Sequence, residues 1–320
     1  MDKNKYWILD GHTDAMLAIP RQKRSFAVRS EIGHVDKERM REGNIKAALF
    51  AVFPAFTKRM IKKGVENWFE IVNNEENELM QIKNYDDFEK SQAEGKIGAV
   101  LHFEGVGGFD KNLNSLHYYK NLGLRTMGIT WSNKNKFGTG VSFIGKEKKR
   151  GLTEKGRELI HEAQSLGITI DVSHLNELSF WDVIEITEKA IIASHSDSRT
   201  ICDHTRNLTD EQIKAIFEKH GTIGINMGMV FLNPNNPGKK DPEMGFDVIK
   251  KHIDQIVACS DINTVAMGSD FDGIKTPNCM KDCAQYPRLF DYLAENGYSE
   301  QDIKKISHEN LLRVFSKTWN

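Results

Sequence analysis

Short apolar, β-branched runs recur along the chain, and stretches with helical spacing separate them. Eight runs stand out, at residues 7–10, 47–53, 97–103, 125–130, 168–172, 190–193, 222–226 and 264–267. Runs such as Ala48-Leu49-Phe50-Ala51-Val52 and Ile168-Thr169-Ile170-Asp171-Val172 are apolar on nearly every position, as strands covered on both faces are. The pattern at 153–166 opens on Thr153, spaces Leu159, Ile160, Ala163 and Leu166 helically, and stops at Gly167. The pattern at 208–220 has Thr209 as a cap, Ile213, Ile216 and Phe217 inward, and Gly221 as its end. Residues 246–260 read as a third helix and 299–315 as two short ones. Residues 57–94 read as one long helical stretch, with Glu75-Glu76-Asn77-Glu78 as a solvated face. Strands alternating with helices of this length predict βαβ units, and eight of them predict an α/β fold closed as a (β/α)8 TIM-like barrel. Residues 20–43, 133–150 and 231–245 show no regular pattern, and each follows a strand end, so they read as loops over the site.

With no linker of Pro, Gly and Ser, the 320 residues read as a single domain over 1–320. A 39% hydrophobic and 28% charged composition suits a soluble globular protein. The net charge of -1, with signs mixed throughout, offers no basic field for nucleic acid or an anionic membrane. No apolar stretch approaches eighteen residues, and an apolar strand follows Met1 too closely for a secretory signal. The four cysteines lack a CxxC pair, which suits reduced thiols and predicts a cytoplasmic protein.

The candidate chemistry lies where the runs end. Ile8-Leu9-Asp10-Gly11-His12-Thr13-Asp14 offers an imidazole and a carboxylate two residues apart, which an extended backbone points to one side. Taken alone, that triplet is an ordinary polar strand end. Four later runs also end in ligand-type residues, however: Glu104, His174, His195 and Asp270, at the ends of predicted strands three, five, six and eight. Imidazole nitrogen and carboxylate oxygen without thiolate predict zinc or a similar divalent ion. A dinuclear arrangement places His12, Asp14 and one Glu104 oxygen on one ion, with the other Glu104 oxygen, His174 and His195 on the second. Two such ions would bridge a water and yield hydroxide near neutral pH. Asp270 is then the general base that passes its proton to the leaving amine. Arg206, just before a helix, has two readings: a bidentate partner for a substrate carboxylate, or a surface ion pair with Asp203 or Asp210.

Several segments together resemble the membrane dipeptidase (renal dipeptidase) family of zinc peptidases. They are Asp10-Gly11-His12-Thr13-Asp14, Glu104-Gly105, Asp171-Val172-Ser173-His174, Ser194-His195-Ser196, Arg206-Asn207-Leu208, Asp270-Phe271-Asp272-Gly273 and Glu309-Asn310-Leu311-Leu312-Arg313. The resemblance runs in order through almost the whole chain. It implies a metal-dependent barrel of the amidohydrolase type, a homodimer, and hydrolysis of dipeptides, including those with a C-terminal D-residue; some members also open β-lactam rings. Its ligand roles fall on His12, Asp14, Glu104, His174 and His195, its proton carrier on Asp270 and its carboxylate-binding arginine on Arg206. Two departures are visible. Trp131 stands where mammalian members carry an oxyanion-contacting histidine, so the oxyanion is expected to rely on the metals and Asn133 or Asn135, with Trp131 and Asn133 as substrate contacts beside Arg206. The secretory signal and lipid-anchor tail of those members are also missing. Two other readings remain. Cyclic amide, β-lactam or N-acyl-D-amino acid hydrolysis would be favoured by a His-x-His start and a bridging lysine. A silent binding barrel would be favoured by a missing ligand, and none of the ligands is missing.

Overall fold

The computed structural model describes residues 6–142 and 149–319. Part of the loop expected over 133–150 therefore lies outside the described residues, at 143–148. The described residues form nine parallel strands: β1 (Ile8–Thr13), β2 (Ile45–Val52), β3 (Leu79–Gln81), β4 (Ile97–Glu104), β5 (Leu124–Gly128), β6 (Thr169–Asp171), β7 (Ile192–Ala193), β8 (Thr222–Ile225) and β9 (Val265–Met267). The sheet runs β2-β1-β9-β8-β7-β6-β5-β4, and β2 pairs with β4 to close it, so eight strands form the expected barrel. The eight predicted runs all lie in it.

The ninth strand corrects the reading of 57–94 as one helical stretch. That segment breaks into a helix at Lys58–Val72, a 3-10 turn at Glu75–Asn77, β3, and a helix at Asp87–Ala93. β3 pairs with Ile97–Ala99 of β4 while β5 pairs with Leu101–Glu104, so the two share one edge of β4 without breaking the closure. Glu78 adopts a left-handed backbone and ends the 3-10 turn there. Residues 20–43 also differ from the loop expected. Lys37–Glu42 is a short helix capped by Asp36, whose carboxylate accepts from the Arg39 N–H.

The helices at 153–166 and 208–220 form as their caps predict. Thr153 accepts from the Gly156 N–H, and Thr209 forms a reciprocal capping box with Gln212. Their apolar faces pack on the outside of the barrel. A second apolar group, with Leu9, Ala47, Leu49, Val100, Ile192 and Ala266, fills the lower barrel interior and is plugged by Leu311, Val314, Phe315 and Trp319. The inward positions above this floor are small or polar: Gly11, His102, Thr126, Asp171, Ser194, Gly224 and Gly268. A Cβ at Gly268 would lie 1.8 Å from the Ser194 carbonyl oxygen, so the absence of a side chain lets β7, β8 and β9 close tightly. This narrow polar layer carries the site above it.

Candidate active site

Each expected ligand lies at the C-terminal end of a strand, the face where a barrel of this kind exposes its loops. His12 is the next-to-last residue of β1, Glu104 ends β4, and His174, His195 and Asp270 follow β6, β7 and β9 within three residues. All six groups, with Asp14, are buried. His12 and Asp14 converge differently from the extended pair expected. The β1 register shifts between Asp10 and Thr13, and Asp14 has left the extended region (φ -91°, ψ 17°) to begin the Ala15–Gln22 helix. Their facing atoms, Nε2 and Oδ2, are 4.0 Å apart.

The groups gather as two triads with one residue in common. His12, Asp14 and Glu104 have ligand atoms within 4.8 Å of one another, and so do Glu104, His174 and His195; His12, His195 and Asp270 form a third such set. Glu104 Oε1 lies 2.9 Å from His174 Nε2 and 3.6 Å from His195 Nε2, and those two nitrogens are 2.9 Å apart. Both His12 ring nitrogens and Asp14 Oδ1 are buried without a hydrogen-bond partner. Each such atom costs about 1–3 kcal/mol unless something compensates it. A divalent cation would do so, and the nitrogen and oxygen donors match zinc-like ions. The residues present therefore fit a metal pair.

The surroundings orient these groups toward one another. Ser132 Oγ is 2.7 Å from His174 Nδ1, and Ser194 Oγ is 2.7 Å from His195 Nδ1 while donating to Asp171 Oδ2 at 2.6 Å. Both imidazoles thus engage Nδ1 and turn Nε2 toward Glu104, the usual outer support of a metal-bound histidine. Burial pushes the His12, His174 and His195 pKa values well below the ordinary value, which keeps them neutral donors. Burial, then neighbouring carboxylates, pushes Asp14 and Glu104 well above theirs. Asp270 is pushed up to about 6 by burial, against the Asn226 amide and Arg206. Asn226 Nδ2 donates to Asp270 Oδ2 at 2.9 Å, leaving Oδ1 toward Asp14.

Arg206 is buried rather than paired on the surface. Its Nη1 donates to Ser196 Oγ and its Nη2 to the His195 carbonyl, both at 2.8 Å, so the guanidinium is tied to the segment that carries His195. Trp131 tilts against His174 at 5.8 Å between ring centroids and, again tilted, packs against Phe53 (5.3 Å) and Phe56 (6.1 Å) as an aromatic wall. Asn133 is exposed. The Asn135 amide is spent within its own loop, donating to Ile129 O and accepting from Phe137 and Gly138 N–H, so it is not aimed at an oxyanion.

Sequence reasoning assigned no role to His102, Asp171, Ser194 or Asn226. His102 Nδ1 meets Thr126 Oγ1 at 2.9 Å, and its ring lies edge-on to His12 at 5.3 Å. Strand parity holds the signal: His102 is two residues before Glu104 on one strand, so both face inward.

A family model for membrane dipeptidases (peptidase family M19) matches residues 3–320. An uncharacterised protein of Klebsiella pneumoniae is 37% identical over 73% of this chain and 86% of its own length. An uncharacterised dipeptidase of Schizosaccharomyces pombe is 30% identical over 89% of this chain and 72% of its own. Among solved structures, a metallopeptidase from Rhodobacter sphaeroides, bound to a phosphinate mimic of the dipeptide L-Ala-D-Ala, superposes with a TM-score of 0.91. It is 29% identical, covering 98% of this chain and 99% of its own.

Proposed function

Because the chain belongs to the membrane dipeptidase family, it is a metal-dependent hydrolase of dipeptides, and we propose that the barrel-mouth residues described above carry out the reaction. The observation that carries the assignment is the single Glu104 carboxylate common to both ligand triads. His12, Asp14 and Glu104 would hold one divalent ion, and Glu104, His174 and His195 the other. Such ions, when bound, supply Lewis acidity that polarises the scissile carbonyl and acidifies water.

The remaining work falls to side chains of this chain. Asp270 accepts a proton at Oδ1, the oxygen that Asn226 leaves free, and returns it to the amine leaving group. A carboxyl raised to about 6 is suited to both steps near neutral pH. Arg206, with one hydrogen of each terminal nitrogen already committed, turns its remaining hydrogens to the substrate carboxylate and fixes the length of peptide accepted. The wall of Phe53, Phe56 and Trp131 lies beside His174 and gives the bound dipeptide an apolar flank.

Zinc as the resident metal, two ions per chain, is the reading that the nitrogen and oxygen donor set supports. Acceptance of a C-terminal D-residue is supported by the ligand of the R. sphaeroides relative. A homodimer rests on family resemblance, and a cytoplasmic setting on four free cysteines. Among the described residues no helix is long and apolar enough to cross a membrane. The test is a panel of L,L and L,D dipeptides with metal-reconstituted protein, alongside metal analysis. Hydrolysis with close to two ions bound is expected, and Glu104→Gln should lower both. No turnover across the panel would sink the assignment.

A further inference from the structure

The turn that carries Asp270 is strained, and a distant loop holds it in place. Asp270 and Asp272 both have left-handed backbones (φ 60° and 69°), a region that costs most residues conformational energy. At Gly273, next along, a Cβ would lie 1.9 Å from Asp14 Oδ2 and 2.7 Å from Asp270 Oδ1, so the turn packs directly against the site carboxylates.

Asp272 itself points away into the loop at 23–36. Its carboxylate accepts from Arg24 Nη2 and, through Oδ1, from the His34 backbone N–H at 2.6 Å. Its own N–H donates to His34 Nδ1 at 2.9 Å. Arg24 Nη1 donates to the Val35 carbonyl, so the arginine also ties the loop to itself. The Arg24 and Asp272 side chains are 4% and 0% exposed. Removing either partner strands a buried charge, which such a site does not tolerate without moving.

We propose that Arg24 and His34 are positioning residues for Asp270, acting through Asp272: they clamp the strained turn so that Asp270 Oδ1 stays where the proton must be transferred. This rests on the reading of Asp270 as proton carrier. The clamp also makes the 23–36 loop part of the catalytic apparatus although it supplies no metal ligand.

The experiment is a double-mutant cycle on the metal-loaded enzyme with one good dipeptide. Arg24→Met should lower kcat roughly 10- to 100-fold, the scale of a misplacement near one ångström. KM should stay within about twofold and bound metal should be unchanged, because neither Arg24 nor Asp272 belongs to the proposed ligand set or to the carboxylate-binding Arg206. Arg24→Lys should recover part of the loss. In an Asp270→Asn background the same Arg24→Met change should cost no more than about twofold, since the group it positions no longer carries a proton. An equal factor in both backgrounds, or a rise in KM with kcat unchanged, overturns the proposal while leaving the dipeptidase assignment intact. Full kcat in Asp270→Asn alone overturns the proton-carrier reading and this proposal with it. Asp272→Asn, which removes the charge but keeps the shape, runs through the same cycle if Arg24→Met does not fold.

Discussion

At the scale of single residues, the proposed ligands and the proposed proton carrier call for different outcomes. Asp270→Asn removes a titrating group but keeps its shape and its Asn226 contact, so it should retain metal and lose roughly 10²- to 10⁴-fold in kcat. His174→Ala should lose bound metal together with activity, and metal analysis beside kinetics tells the two apart. Away from the site, His252 gives a pH prediction. Its Nδ1 accepts from the Ser198 N–H and its Nε2 meets the Leu232 carbonyl oxygen at 3.1 Å, so it is held neutral. Burial pushes its pKa down to about 4 from 6.5. Below pH 6.5 the unfolded chain takes up a proton that the folded one refuses, so this stability is present above 6.5 and lost as pH falls toward 4. The loss by pH 5 is about 2 kcal/mol at about 1.4 kcal/mol per unit. In urea titrations at pH 7 and pH 5, His252→Gln should show a drop smaller than wild type by about that amount, and an unchanged drop would refute it.

At the scale of elements, local rules worked where the chain itself supplies the signal. Thr153 and Thr209 cap where their spacing says, because a capping bond closes within three residues. Residues 57–94 carry no local sign of their strand because β3 is three residues long and owes its conformation to pairing with Ile97–Ala99, a partner invisible in a local window. The 37–42 helix is hidden for a similar reason: six residues carry too little periodicity to register. The strands that meet at Ser194 test the packing argument. Gly268→Ala would press a methyl on the Ser194 carbonyl oxygen, which belongs to a backbone that cannot swing aside. It should destabilise the protein by about 1–3 kcal/mol or more in chemical denaturation, as overpacked cores do. Wild-type stability in that variant would show that the barrel wall yields.

At the scale of the whole molecule, barrel closure does what no segment can. It brings residues from position 12 to position 270 to one mouth and buries nitrogens and oxygens that want a cation. Metal that binds the folded chain alone must then stabilise it, by about 2.7 kcal/mol at a hundredfold excess over Kd. Chelation should therefore lower the thermal midpoint of the wild type, and His174→Ala should be nearly insensitive to chelator; equal shifts in both would contradict the centre described. Read by itself, the amino-acid order determined the eight barrel strands, the main helix caps and the residue types available for metal. These depend on periodicity and on contacts a few positions apart. Only the tertiary structure decided the bulged route by which Asp14 reaches His12, the polar layer of His102, Asp171 and Ser194, the buried setting of Arg206 and the clamp of Arg24 and His34 on Asp272. Those contacts join positions 238 or more residues apart in the last case, and a pairing at that separation exists only once the strands have closed.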